Sequence, residues 1–264
     1  MLVTFEAEII NKKLALVPLV AILIVLALLL GFGLKGQFVF GSTIAYLVVS
    51  ILFYWLVTPT VTFISAKGYL NTGSLILLFI SLAFFVALPF SIASVVTPSI
   101  PNYAVTFAAL GFIVSSAFQL AGAVQASFGS VPVGFQNRKL RLFSALAGTL
   151  TLCIIIIVFG FLGFYPPFFL QNIGTTFIDY LFYAFSIFFF ASSGLLYLRL
   201  YFKSKSEVLY FYSLALILYA IGAFGITQQV VFGDAVVWVG RTATYIGLLY
   251  FLYALIVSRK ETIS

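Results

Sequence analysis

Eight stretches of this chain run for twenty or more residues with almost no charged side chain. They lie near residues 14–35, 42–65, 74–97, 103–127, 142–164, 175–199, 207–227 and 235–257. A helix needs about 20 mostly apolar residues to cross a bilayer. Backbone groups in hydrocarbon must find partners within their own segment, so such runs fold as helices. Barrel strands alternate apolar and polar residues over about ten positions, and these runs do not. The expected fold class is an all-α membrane protein, a polytopic bundle of about eight transmembrane helices forming one domain over 1–264, with no soluble domain.

Composition removes the alternatives. The chain is 64% hydrophobic and 7% charged, where a soluble domain carries about 25% charged residues. Thirteen basic and six acidic side chains cannot coat a globule of 264 residues. A soluble enzyme, a nucleic-acid binder and a disordered tail are excluded, and the lipid bilayer is the first partner. There is no histidine, which removes His-ligated haem, copper and zinc and any imidazole base. The single cysteine, Cys153, sits in an apolar run where a thiol is inert packing. No P-loop, dinucleotide fingerprint or nucleophile–base set occurs. The expectation is no catalytic residue, no metal site and no cofactor.

The few charges set an orientation. Lys12, Lys13, Lys67, Arg138, Lys139, Arg141, Arg199, Lys203, Lys205, Arg259 and Lys260 make eleven of the thirteen basic residues. All fall on one side if eight helices alternate. The opposite side holds Lys35. By the positive-inside rule both termini are cytoplasmic in a multi-pass protein of the cell (plasma) membrane. Lys12-Lys13 before an apolar run also has the form of a signal peptide. That run is longer than a usual signal core and no A-x-A site follows, so the first helix reads as retained. The longest connection is Gly129 to Leu140, and seven residues follow Val257. Output then has to pass through lipid-facing surfaces, short loops, a protein partner or a second copy of the chain.

Polar residues inside the runs are the candidate site. Arg241 lies about two turns into the eighth helix. An arginine near mid-bilayer costs about 2.5–3.5 kcal/mol on insertion scales and faces the bundle interior or snorkels to headgroups. Asp179, one turn into the sixth helix, is its natural partner if helices six and eight touch, and Asp234 competes for the role. Tyr183 and Ser186 follow Asp179 on one face. The expected site is an outward polar pocket or ion pair of Arg241, Asp179, Asp234, Tyr183 and Ser186. A second stripe of Ala108, Gly111, Ser115, Gln119, Gly122 and Ala126 steps by three or four along the fourth helix. It suits close packing, with Gln119 and Ser115 as bonding or cavity groups. Gly240, Ala243, Thr244 and Gly247 give the eighth helix a small face. Pro59 and Pro89 should kink helices two and three, with Thr58, Thr60 and Thr62 able to bond freed carbonyls.

The final hairpin, from Ser206-Glu207-Val208-Leu209-Tyr210 through Trp238-Val239-Gly240-Arg241 to Tyr245-Ile246-Gly247, resembles that of the multi-helix (MASE-type) membrane sensor regions of bacterial and archaeal signalling proteins. The resemblance covers about a fifth of the chain, and its motifs are loose. Members of that group often carry histidine where this chain has Arg241, and they feed a cytoplasmic kinase or cyclase domain that is missing here. The resemblance implies sensing or ligand binding in the bundle. Three functions stay open: a sensor-like or scaffold subunit acting through a partner, a small-solute transporter or channel, and a haem-free anchor subunit of a respiratory complex.

Overall fold

A computed structural model describes residues 13–39, 48–97, 100–129, 133–170, 173–231 and 233–261. It is an all-α bundle with one small β-hairpin. The helices are α1 Val17–Gly31, α2 Val48–Thr72, α3 Leu75–Val96, α4 Pro101–Phe128, α5 Arg138–Phe161, α6 Phe177–Ser204, α7 Glu207–Thr227 and α8 Ala235–Glu261. Seven of them, α2 to α8, are long and apolar enough to cross a membrane. The chain is a polytopic helical membrane protein.

The first helix departs from expectation. It spans 15 residues rather than the length of the run 14–35, which is about 22 Å against a hydrocarbon core of about 30 Å. Its start is set by Pro18, which sits in the first turn, where its missing N–H is harmless. Its end falls at Gly31, followed by Gly33 and Gly36 in left-handed conformation. Lys12 and the expected start of helix two at residue 42 lie outside the described residues. The basic residues of three connections belong to helix ends: Lys67 lies within α2, Arg138, Lys139 and Arg141 open α5, and Arg199 and Lys203 close α6. Arg138 also does structural work. Its guanidinium donates to the carbonyls of Leu70 at 3.1 Å and Asn71 at 2.6 Å, at the C-terminus of α2. Unpaired carbonyls and the negative end of the helix dipole favour a cation there. The same end is closed by Gly73 at φ 75°.

Packing makes a ring. Helix α2 packs on α3, α3 on α4, α4 on α6, α6 on α7, α7 on α8, and α8 returns to α2. Helices α1 and α5 lie outside it, against α8 and α3. In α7, 78% of the most apolar window is buried, against 11% in α5, so α7 is interior and α5 is mostly left to lipid. The α5 face turned to lipid includes Leu150, Leu152, Ile154 and Ile155.

The tightest seam joins α7 and α8. Lipid tails are as apolar as leucine, so membrane helices hold together by close packing, which small residues permit. Here Gly222 and Gly225 of α7 meet Gly240 of α8. A Cβ placed on Gly240 would lie 2.7 Å from the Gly222 carbonyl oxygen and 2.8 Å from the Ile226 nitrogen. The two backbones touch with no room for a methyl group.

Asp234 fixes where α8 begins. One carboxylate oxygen accepts from the Val237 amide at 3.0 Å and the other from the Val230 amide at 3.1 Å. The Phe38 carbonyl accepts from the Ala235 amide at 2.8 Å, and Lys35 donates to Gln228 at 2.7 Å. Asp234 is thus a helix cap. Asp234→Ala should destabilise the bundle by about 1–2 kcal/mol, read as a lower unfolding midpoint in detergent. An unchanged midpoint would show that the cap does not hold α8.

Pro59 acts differently from a simple kink. Residues Ile51–Val57 of α2 form a π-helix, and the α-helical part resumes at Thr58. Proline cannot donate to the carbonyl four residues back and its ring clashes with it, and a wider turn before it relieves that contact. Thr60 donates to the Leu56 carbonyl at 2.7 Å and Thr62 to that of Thr58 at 3.0 Å. Thr58 does not share this role: its buried hydroxyl has no hydrogen-bond partner. Pro89 lies inside α3, which continues through it. Between α5 and α6, Phe169–Leu170 pairs antiparallel with Gly174–Thr175, an element too short to leave a sequence pattern. Asn102 of α4 accepts the Phe168 and Phe169 amides and seats this hairpin.

Candidate functional site: a cavity inside the helix ring

The ring encloses a cavity of about 70 Å³ in the half of the bundle nearest the hairpin, room for on the order of five water molecules. All six ring helices line it. Ser50 and Tyr54 come from the π-helical turn of α2 and its start. Ser91 and Ser94 stand on α3 beside Phe90, and Gly111, Phe112 and Ser115 on α4. Tyr183 and Phe190 come from α6, Tyr219 and Ile226 from α7, and Arg241 and Tyr245 from α8. Spacings of three or four put each set on one helix face. Val95 and Ile226 each stand one residue from the hairpin-side ends of their helices, so the cavity extends toward that end.

Among the described residues that line it, Arg241 brings the only formal charge. It stands six residues past Ala235, which is about 9 Å into the helix. Its guanidinium carbon lies 5.7 Å from the centre of the Trp238 ring one turn earlier, a cation–π distance. The turn is braced from α2. Thr244 donates its hydroxyl to the Arg241 carbonyl at 2.7 Å. Its one proton is then used, so Tyr54 is the donor in the 3.1 Å bond between the two hydroxyls. Phe53 stacks on Tyr245 at 4.7 Å. Ser91 and Ser94 donate to the carbonyls of Leu88 and Ala104, both at 2.8 Å. Ser50 is different: it is 1% exposed and its hydroxyl has no hydrogen-bond partner. A buried, unsatisfied hydroxyl at a cavity wall calls for a water or a ligand.

An aromatic layer closes the other half. Tyr219 packs against Phe251 with ring centres 5.5 Å apart. Phe251 meets Phe84 at 4.8 Å and Tyr212 at 4.7 Å, and Tyr212 meets Tyr197 at 4.9 Å. The Tyr212 hydroxyl donates to the Gln119 side-chain oxygen at 2.6 Å. Below it, Gly122 lets α4 approach Phe79 of α3. The small-residue stripe of α4 therefore has two fates. Ala108, Gly111 and Ser115 line the cavity, while Gln119 and Gly122 are sealed in packing.

The expected site residues separate in the same way. Arg241, Tyr183 and Ser115 reach the cavity. Ser186 donates to the Phe182 carbonyl at 2.9 Å within its own helix and does not line it. Asp234 caps α8. Asp179 is 1% exposed in the first turn of α6 and forms no ion pair with Arg241, and its Oδ1 has no hydrogen-bond partner. The expected pairing fails because α7 stands between α6 and α8 in the ring. Sequence reading missed Ser50, Tyr54, Tyr219 and Tyr245. The pairs Ser50/Tyr54 and Arg241/Tyr245, each four apart, were the available signal. Among the described residues no three of His, Cys, Asp or Glu cluster as a metal site would need. What the cavity offers is one fixed positive charge, several hydroxyls and aromatic walls.

The arrangement defines a class: a helical membrane protein with a largely apolar cavity that carries a few polar groups and is closed toward its basic end. Compared with protein-family models, curated proteins and solved structures, the chain matches none of them.

Proposed function

We propose that this protein is a sensor-like subunit of the cell membrane. It takes a small polar solute from outside into the ring cavity and signals through a protein partner or a second copy. The observation that carries the reading is a cavity lined by all six ring helices and backed by an aromatic layer. A conducting pore needs a polar path past that layer. In this orientation the hairpin end is external and both termini are cytoplasmic, as the distribution of basic residues favours. The π-helical turn supplies the link to the far side. It carries Tyr54 into the cavity, with Ser50 just before it, and α2 runs from it to the basic end. Such turns are metastable and cluster at functional sites. The resemblance of the last hairpin to MASE-type sensor regions agrees with this role.

The test is capture of a partner from native membranes in mild detergent, with wild type, Arg241→Leu and Lys35→Leu. Arg241→Leu should weaken capture about fivefold or more, the low end of coupling between sites, and Lys35→Leu should not. Equal effects, or a partner-free monomer throughout, would overturn the reading. A transporter is the second reading, favoured by the proline-linked turn beside the cavity. Solute uptake by wild-type protein in liposomes would establish it instead.

A further inference from the structure

A strongly basic patch stands at the start of α5. Arg138, Lys139 and Arg141 fall in its first turn, which holds no acidic residue. Residues 9–178 of the chain contain no acidic side chain at all. Arg138 is engaged with the carbonyls that end α2, while Lys139 and Arg141 are exposed. The other exposed pair at the basic end, Lys203 and Lys205, is placed differently. It closes α6, where the helix dipole favours a cation. Lys205 lies 5.7 Å from the Tyr201 ring and 5.6 Å from the Phe202 ring, and Glu207 follows two residues on. Lys139 and Arg141 instead open a helix, at the end where its dipole disfavours them.

The cations flank an apolar face. Leu140, Phe143, Leu150 and Ile154 share one side of α5 by steps of three, four and seven. The first two are 70% and 74% exposed. Leu142 turns the other way, into the cluster of Tyr69 and Leu78. Exposed cations beside exposed apolar side chains, where a membrane-spanning segment begins, match a molecule with an anionic head and apolar tails. A water-borne anion leaves the apolar face unused. A zwitterionic lipid brings its own ammonium to its phosphate. Anionic lipids gather in the cytoplasmic leaflet, where basic groups beside membrane helices recognise their headgroups.

We infer that the start of α5 binds an anionic glycerophospholipid of the adjacent leaflet. Lys139 and Arg141, on either side of Leu140, hold its phosphate, and an acyl chain lies along the face from Phe143 to Ile154. Arg141 suits a phosphate because guanidinium offers a fork of donors, and Lys139 adds a point charge.

The experiment places the whole chain in phosphatidylcholine nanodiscs that contain a graded fraction of brominated phosphatidylglycerol or brominated phosphatidylcholine. Phe143→Trp puts a fluorescent indole at the site, and the signal of Trp55 and Trp238 is subtracted with the parent protein. Bromine quenches at contact. Quenching should show phosphatidylglycerol bound about tenfold or more tightly than phosphatidylcholine. Lys139→Gln and Arg141→Gln should each lower that preference about fivefold, the scale for one basic side chain at a charged membrane surface. The double variant Lys203→Gln with Lys205→Gln, which removes more charge from the same end, should leave it unchanged. If Phe143→Trp does not fold, Leu140→Trp reports in its place. Equal quenching by the two lipids would overturn the inference. So would a loss as large in the Lys203/Lys205 variant, which would mean attraction to the whole basic end rather than a site on α5. Glycerol 3-phosphate in solution should not relieve the quenching. Relief would make this a site for a water-borne phosphate and would also overturn the lipid.

Discussion

Gly240→Leu is expected to abolish the folded bundle, and Gly240→Ala to destabilise it by about 1–3 kcal/mol. The glycine Cα of α8 lies against the backbone of α7, where an added Cβ would meet a carbonyl oxygen at 2.7 Å and an amide nitrogen at 2.8 Å. Neither atom belongs to a side chain that could rotate away. One helix must move, and with it the Gly222 and Gly225 contacts on the same seam. Water offers no compensating drive, since the alternative neighbour for either helix is hydrocarbon. The matched control is Gly148 on α5, where an added Cβ meets nothing within 4 Å. Gly148→Leu should leave the unfolding midpoint and the size-exclusion profile unchanged. If Gly240→Leu elutes and unfolds like wild type, the α7–α8 seam is not what holds the ring closed.

Phe251→Ala should have the second large effect, and it bears on function. The ring of Phe251 is fully buried and touches Phe84, Tyr212 and Tyr219 in edge-on geometry. Its removal should destabilise the protein by about 3–5 kcal/mol, the range for a buried phenylalanine. It also takes out the side chain that joins the cavity floor at Tyr219 to the layer below. The expected result is a leak. Liposomes carrying Phe251→Ala should pass a small, bilayer-impermeant solute down its gradient, and wild-type liposomes should hold it. The proteins should be compared well below the mutant's unfolding midpoint, so that leak is not mistaken for unfolding. Tight mutant liposomes would mean that the rest of the layer seals the bundle alone.

Much of the fold was legible in the sequence because lipid imposes one rule on every segment. A run of twenty apolar residues has to satisfy its own backbone, so α3 to α8 follow directly from the positions of such runs. The limits of α4 are expected near 103 and 127 and fall at Pro101 and Phe128. Helix ends were less legible where a basic residue belongs to the helix rather than the loop, as Arg199 and Lys203 do in α6, with Lys203 in its last turn. The π-helical turn of α2 was legible only in part. Pro59 announces a disturbance, but whether it becomes a kink or a widened turn depends on what packs there, here Phe53 on Tyr245 and Tyr54 on Thr244.

The candidate site divides along the same line. The sequence by itself determined that Arg241, Asp179 and Gln119 lie inside apolar helices, because the energetic penalty for a polar group in hydrocarbon depends on its depth along one helix. Only the tertiary structure decided what each of them meets. Depth put Arg241 and Asp179 near one level, but neighbourhood is a property of the ring, and α7 stands between their helices. Gln119 went to Tyr212 and Asp234 to a helix cap, while Ser50 and Tyr54 came to the cavity from a helix that carries no charge in its hairpin-side half. A periodic pattern fixes the face of a helix that turns inward. It does not say which other faces turn inward beside it, and that is settled by glycine seams and aromatic contacts among residues far apart in the chain.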